Sequence, residues 1–216
     1  MSQSVAAEHH YDDLTITLDE AELIDALIQQ GWWSRQNCVS SEFSEALANE
    51  ALTLYQNQKM APAGIGRDQH FQQNATIRQD FIHWLDGASE IQRRYLSFME
   101  SIKQTLNRAL FLGLFEFEAH FAIYPPGAFY KKHVDSFRGG GNRVVSVVTY
   151  LNADWPETGG GALAIYAPET EQIVQTVRPE AGTLVIFLSE AIPHEVLISH
   201  QQRASIAGWF RVNAFV

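Results

Sequence analysis

Several things are scarce in these 216 residues. There is one cysteine, Cys38, so no internal disulfide can form and the chain suits a reducing compartment. Basic residues are few as well: 15 Lys and Arg face 25 Asp and Glu, and a net charge of −10 argues against a partner gripped by its phosphate backbone. No apolar run approaches the roughly 18 residues that a membrane span needs. The opening stretch Met1–Asp12 is polar and acidic, without the basic-then-apolar order of an export signal, and reads as a loose tail. Internal repeats, heptads and low-complexity tracts are missing too. The expectation is a cytoplasmic protein with neither a nucleic-acid nor a membrane partner.

What is present suits a folded domain. Hydrophobic residues make up 46% and charged residues 19%, ample for a core. We expect a flexible tail over 1–12 and one domain over 13–216, with helical support over about 19–112 and a β core over about 115–212. Asp19-Glu20-Ala21-Glu22 opens a helix whose apolar residues (Leu23, Ile24, Leu27, Ile28) repeat at helical spacing until Gly31. Trp32 and Trp33 are placed where this helix meets the sheet. A second helix runs from Ser40/Ser41 to about Lys59, and a third from about Ala88 to Leu112. Between them Met60–Thr76 reads as a long polar surface loop, a length that is functional or disordered. From Phe115 the period changes to two. Strands are predicted at Phe115–Tyr124, Arg143–Leu151, Ala162–Ala167, Gln172–Val177, Thr183–Leu188, His194–Ile198 and Arg203–Val212, separated by Gly and Pro. Many short strands with such punctuation indicate a sandwich or barrel, its sheet covered on one face by the three helices.

The chemistry gathers in that β region. His133 and Asp135 are two apart on a strand or its end, so their side chains project from one face. His194, which follows Pro193 and opens a strand, is the best third member. His120 and His200 are weaker candidates. Two histidines and one carboxylate on a β scaffold are the ligand set of a non-haem Fe(II) oxygenase, leaving other coordination positions open. Nine residues after His194 comes Arg203, with Ser205, Ala207 and Trp209 on its side of a period-two strand. A guanidinium with a neighbouring hydroxyl clamps a carboxylate, so Arg-x-Ser suits the distal carboxylate of a keto-acid such as 2-oxoglutarate if that face is interior.

On these residues the sequence resembles the Fe(II)/2-oxoglutarate-dependent oxygenases, and in particular the prolyl hydroxylases of the hypoxia-sensing type and their bacterial relatives. The matching pieces are Ile77–Gly87 (IRQDFIHWLDG), Tyr130–Asp135 (YKKHVD), Tyr150-Leu151-Asn152, Pro193–Val196 (PHEV) and the Arg203–Phe210 strand. The resemblance implies a double-stranded β-helix, or jelly roll, flanked by N-terminal α-helices. It implies Fe(II) held by His133, Asp135 and His194, with no catalytic group beyond the metal centre. Arg203, Ser205, Tyr150 and Tyr124 would hold 2-oxoglutarate, with Ser205 standing in for a threonine that the family carries where this chain has Ala207. O2 is the other co-substrate and ascorbate a further candidate cofactor. Asp80 and Arg143 match an acid–base pair near the family's peptide groove, and Tyr130 and Trp209 match aromatics lining it.

The reaction implied is oxidative decarboxylation of 2-oxoglutarate to succinate and CO2 coupled to hydroxylation of a prolyl residue at its 4-position. The partner is a protein or peptide containing that proline, with elongation factor Tu a candidate and the Met60–Thr76 loop a lid. A free amino acid or small molecule as substrate, and a non-catalytic metal-binding sensor, are the alternatives.

Overall fold

The computed structural model describes residues 7–11, 14–64, 74, 76–136 and 141–213. Ala7–Tyr11 (β1) and Leu14–Leu18 (β2) pair as an antiparallel hairpin, within and just beyond the stretch read as a tail. The β-branched run Thr15-Ile16-Thr17 favours strand, a signal that the polar opening obscured.

Three helices follow in order, each stapled by its own cap. In α1 (Glu20–Gln30) Asp19 accepts the amide of Glu22, and Gly31 closes the helix at φ 79°, a conformation glycine adopts without a Cβ penalty. Ser40 caps α2 (Ser41–Gln56) and Ser89 caps α3 (Glu90–Leu110) in the same way. Both helices end two to three residues before the predicted C-termini: α2 stops at Gln56 ahead of the polar Asn57-Gln58-Lys59, and α3 stops at Leu110 although Phe111 and Leu112 continue the apolar run.

All strand pairs are antiparallel, in a seven-stranded and a four-stranded sheet. Trp32–Arg35 (β3), Ala61–Pro62 (β4), Phe81–Trp84 (β5) and Glu116–Tyr124 (β6) belong to the larger sheet. Tyr130–His133 (β7) joins the smaller one, Arg143–Tyr150 (β8) the larger, and Leu163–Tyr166 (β9) and Ile173–Val177 (β10) the smaller again. The chain then alternates through Leu184–Leu188 (β11), His194–Val196 (β12) and Arg203–Arg211 (β13). The orders are β3-β11-β8-β13-β6-β5-β4 and β10-β9-β12-β7. This back-and-forth between two sheets is the jelly roll.

Each central strand of the large sheet is buried on both faces. One set of alternate residues (Phe121 and Ile123, Val145 and Val147, Ile206 and Phe210) packs with Leu23, Phe43, Leu47, Phe98, Met99 and Ile102 of the helices in the main core. Tyr95 ties α3 to β8 through a 2.9 Å hydrogen bond with Thr149. Each large apolar side chain buried in this layer contributes about 1.5–3 kcal/mol. The other set faces the small sheet and makes a second core with Leu163, Ile165, Val177 and Val196. Between the sheets the packing opens into a cleft of about 510 Å3, part of it open to solvent.

Candidate active site

Antiparallel pairing of β7 with β12 sets His133 directly opposite His194. Asp135 lies just past β7, where its amide donates to the Ser189 carbonyl at 3.1 Å. The carboxylate thereby comes within 3.5 Å of His133 Nε2 and 3.8 Å of His194 Nε2. One donor atom from each of these three residues lies within 4.8 Å of the others, the only such His/Cys/Asp/Glu group among the described residues. His120 and His200, the weaker ligand candidates, are not in it. His120 is buried between Trp84 and Trp209, and His200 pairs with the Thr158 carbonyl in an exposed turn.

The second bond of each imidazole sets its tautomer. His133 Nδ1 is 2.7 Å from the Lys131 carbonyl and His194 Nδ1 is 3.0 Å from that of Ile192. Each Nδ1 therefore carries hydrogen, and each Nε2 turns a lone pair toward the shared space. Burial, with the His133 charge adding to it, pushes His194 down to about 4, so it is neutral at physiological pH as a ligand must be. Burial alone would raise Asp135; His194, His133 and the hydroxyl of Ser146 outweigh it and hold the carboxyl well below the usual range. Tyr130 stacks on His133 with centroids 3.6 Å apart.

At the other end of the cleft Arg203 opens β13 opposite Tyr124. Its guanidinium lies 4.7 Å from the Tyr124 ring centroid and 5.0 Å from that of Tyr150. The residue is only 1% exposed, yet among the described residues the one hydrogen bond of its side chain is to Ser205 Oγ at 3.2 Å, and no carboxylate lies within 4 Å. Tyr150 Oη is buried beside it without a hydrogen bond. A buried cation and an unsatisfied phenol each cost several kcal/mol unless an anion completes them. Gly161, at φ 64°, leaves the room: a Cβ there would stand 3.0 Å from Arg203 Cδ. The wall thus fits a small carboxylate, and the His-Asp-His set fits a divalent ion with open positions.

One expectation needs correcting. Asp80 and Arg143 do not pair with each other. Asp80 is fully buried and gives both oxygens to Arg78, at 2.6 and 2.8 Å, because Arg78 lies two residues away and is itself largely enclosed. Arg143 pairs with Glu118 at 2.7 Å and lies 3.4 Å from the Trp209 ring. The lid expected over 60–76 falls largely on residues outside those described, apart from β4 at its start. Arg78 also stands 4.7 Å from the Tyr130 ring. Reading the sequence missed Arg78, although it sits in the matching Ile77–Gly87 piece; its place two residues before Asp80, at the entry to β5, was the available signal.

Jelly roll, triad and buried arginine define a non-haem iron oxygenase of the keto-acid-dependent class. The 2OG-Fe(II) oxygenase superfamily model matches residues 119–211. A crystal structure of a Pseudomonas putida prolyl-4-hydroxylase is 39% identical, covers 89% of this chain and 98% of its own, and superposes with a TM-score of 0.81. A Trichoplax adhaerens prolyl hydroxylase, solved with a hypoxia-inducible factor peptide, is 27% identical over 89% of this chain and 88% of its own, with a TM-score of 0.79. Human Egl nine homolog 1 is 29% identical over 182 residues, which cover 80% of this chain and 42% of that protein. The chain spans about half the length of the curated relatives it matches. It belongs to the 2OG-Fe(II) oxygenase superfamily, among the prolyl hydroxylases, whose cofactor and co-substrates are Fe(II), 2-oxoglutarate and O2.

Proposed function

We propose that the protein hydroxylates a prolyl residue at the 4-position in a protein or peptide substrate, consuming 2-oxoglutarate and O2 and releasing succinate and CO2. The observation that carries this reading is Arg203, buried without an anion at the far end of the cleft that holds His133, Asp135 and His194. Bound Fe(II) with 2-oxoglutarate supplies the oxidative decarboxylation and the oxygen placed on carbon.

The chain's own residues supply position and dryness. His133, Asp135 and His194 hold the metal, with Nδ1–H of each imidazole tied to backbone so that Nε2 is presented. Arg203 and Ser205 bind the distal carboxylate of 2-oxoglutarate, and Tyr124 and Tyr150 offer hydroxyls beside it. The buried walls exclude water, which strengthens each of these contacts. Tyr130 and Trp209 line the mouth, and Arg143 and Asp80 support it through Glu118 and Arg78. Elongation factor Tu is the first protein to test as substrate, in a cytoplasmic setting and with ascorbate present.

The test is incubation with Fe(II), 2-oxoglutarate and air, with and without purified elongation factor Tu, following succinate and the masses of prolyl peptides. The expected result is one added oxygen on one proline, absent with His133→Ala. Succinate without a modified peptide would move the substrate to a small molecule. Neither product, from protein shown to carry iron, would leave a binding module.

A further inference from the structure

We infer that Ser146, backed by Ser189, is a positioning residue that fixes the Asp135 carboxylate for metal before any metal arrives. Ser146 Oγ lies 2.6 Å from Asp135 Oδ2, and Ser189 Oγ lies 2.8 Å from Ser146 Oγ. Both serines are buried, at 1% and 0% exposure. An ionised carboxylate only accepts, so Ser146 spends its one hydroxyl hydrogen on Asp135. The Ser189 hydroxyl must then donate to Ser146, and the two form a polarised relay that ends on the carboxylate.

Among the described residues Ser146 makes the shortest hydrogen bond to that carboxylate, at 2.6 Å, while the two imidazole Nε2 atoms stand 3.5 and 3.8 Å away. His133 and His194 face it with Nε2 lone pairs, since their hydrogens sit on Nδ1. The last torsion of aspartate is broad, so covalent geometry leaves the carboxylate free to rotate. Ser189 holds the same residue by its backbone as well: its carbonyl accepts the amides of Asp135 at 3.1 Å and Ser136 at 3.3 Å. Its own amide donates to Val144 at 3.0 Å. Ser189 also stands in the turn that delivers His194, so one turn grips two of the three ligands.

The inference rests on reading His133, Asp135 and His194 as a metal site, and Co(II) alone can probe it. Metal-stripped wild type, Ser146→Val, Ser146→Thr and Ser189→Ala are titrated with Co(II), followed by calorimetry and visible absorption, and each apo form is melted. Valine and threonine share a shape and differ in the hydroxyl. S146V should bind Co(II) about 10–100-fold more weakly, S146T within ~3-fold of wild type, and S189A in between. The apo melting temperatures should stay within a few degrees of one another. Wild-type affinity in S146V, or S146T as weak as S146V, would reduce Ser146 to a packing role. Should S146V fail to fold, wild-type affinity in S189A would overturn the relay. Wild type that takes up no Co(II) would overturn the metal reading itself, a result distinct from normal wild-type binding with S146V unmoved.

Discussion

The two faces of β6, β8 and β13 are equally buried and built to different ends. Toward the helices stand Phe121, Ile123, Val145, Val147, Ile206 and Phe210, which need only shape and dryness. Toward the cleft stand His120, Tyr124, Ser146, Tyr150, Arg203 and Ser205, and among the described residues Arg203 meets no anion and Tyr150 Oη makes no hydrogen bond. Burial on the first face is stabilising as it stands. On the second it is a cost that bound groups relieve. One set of strands thus separates stability from function by the period of two, and substitutions on the two faces should have separable effects.

The largest effect belongs to the triad. His133→Ala or His194→Ala should lower 2-oxoglutarate turnover by ~1,000-fold or more, since the metal's contribution is several kcal/mol. The melting temperature of the metal-free protein should change by only a few degrees, as scanning calorimetry would show. Unfolding of either variant would mean that the cleft face carries stability after all.

Arg203→Met comes next. It removes an interaction worth about 2–5 kcal/mol, so the 2-oxoglutarate dissociation constant should rise ~30-fold or more by calorimetry. Because the guanidinium meets no carboxylate among the described residues, the apo melting temperature should hold or rise. A loss of several degrees would show that Arg203 is satisfied without co-substrate.

Leu47→Ala sharpens the comparison from the other face. Leu47 is fully buried under the sheet, and its truncation should cost about 2–5 kcal/mol in urea unfolding. The 2-oxoglutarate affinity of the folded fraction should stay within about twofold of wild type, because additivity holds between distant sites.

These contrasts also mark what the sequence could reveal. The alternation Phe117-Glu118-Ala119-His120-Phe121 announces a strand, and Arg203-Ala204-Ser205-Ile206 announces another whose arginine and serine share a face. His133, Asp135 and His194 were legible as a set, and the register of β7 against β12 explains how residues sixty apart meet. β5 went unread because Phe81-Ile82-His83-Trp84 is apolar on both sides and lacks a period. Ser146 and Ser189 gave no signal either: a serine in a strand resembles any other until the fold brings it to a carboxylate. Arg78 and Asp80 stood two residues apart in plain view, but choosing Arg78 over Arg143 as the partner requires three-dimensional distances.

The smallest effect tests whether a titratable group on the cleft face costs stability, which no helix-facing residue named above can do. His120 is buried among Trp84 and Trp209 with Arg78, Asp80 and Arg143 near it. Burial first, then the Arg78 charge, push it from 6.5 down to about 4. The unfolded chain therefore binds a proton that the folded chain refuses throughout that window. Above pH 6.5 the group is neutral in both states and contributes nothing. As pH falls from 6.5 to 4, stability should drop by up to about 1.4 kcal/mol per pH unit for this histidine, and His194 adds a parallel loss. His120→Gln removes one of the two protons. In urea unfolding between pH 4.5 and 7, its stability should decline less steeply than wild type, and the two curves should run parallel above pH 7. An unaltered slope would mean that His120 takes up its proton in the folded state, and that the cleft wall around it admits water.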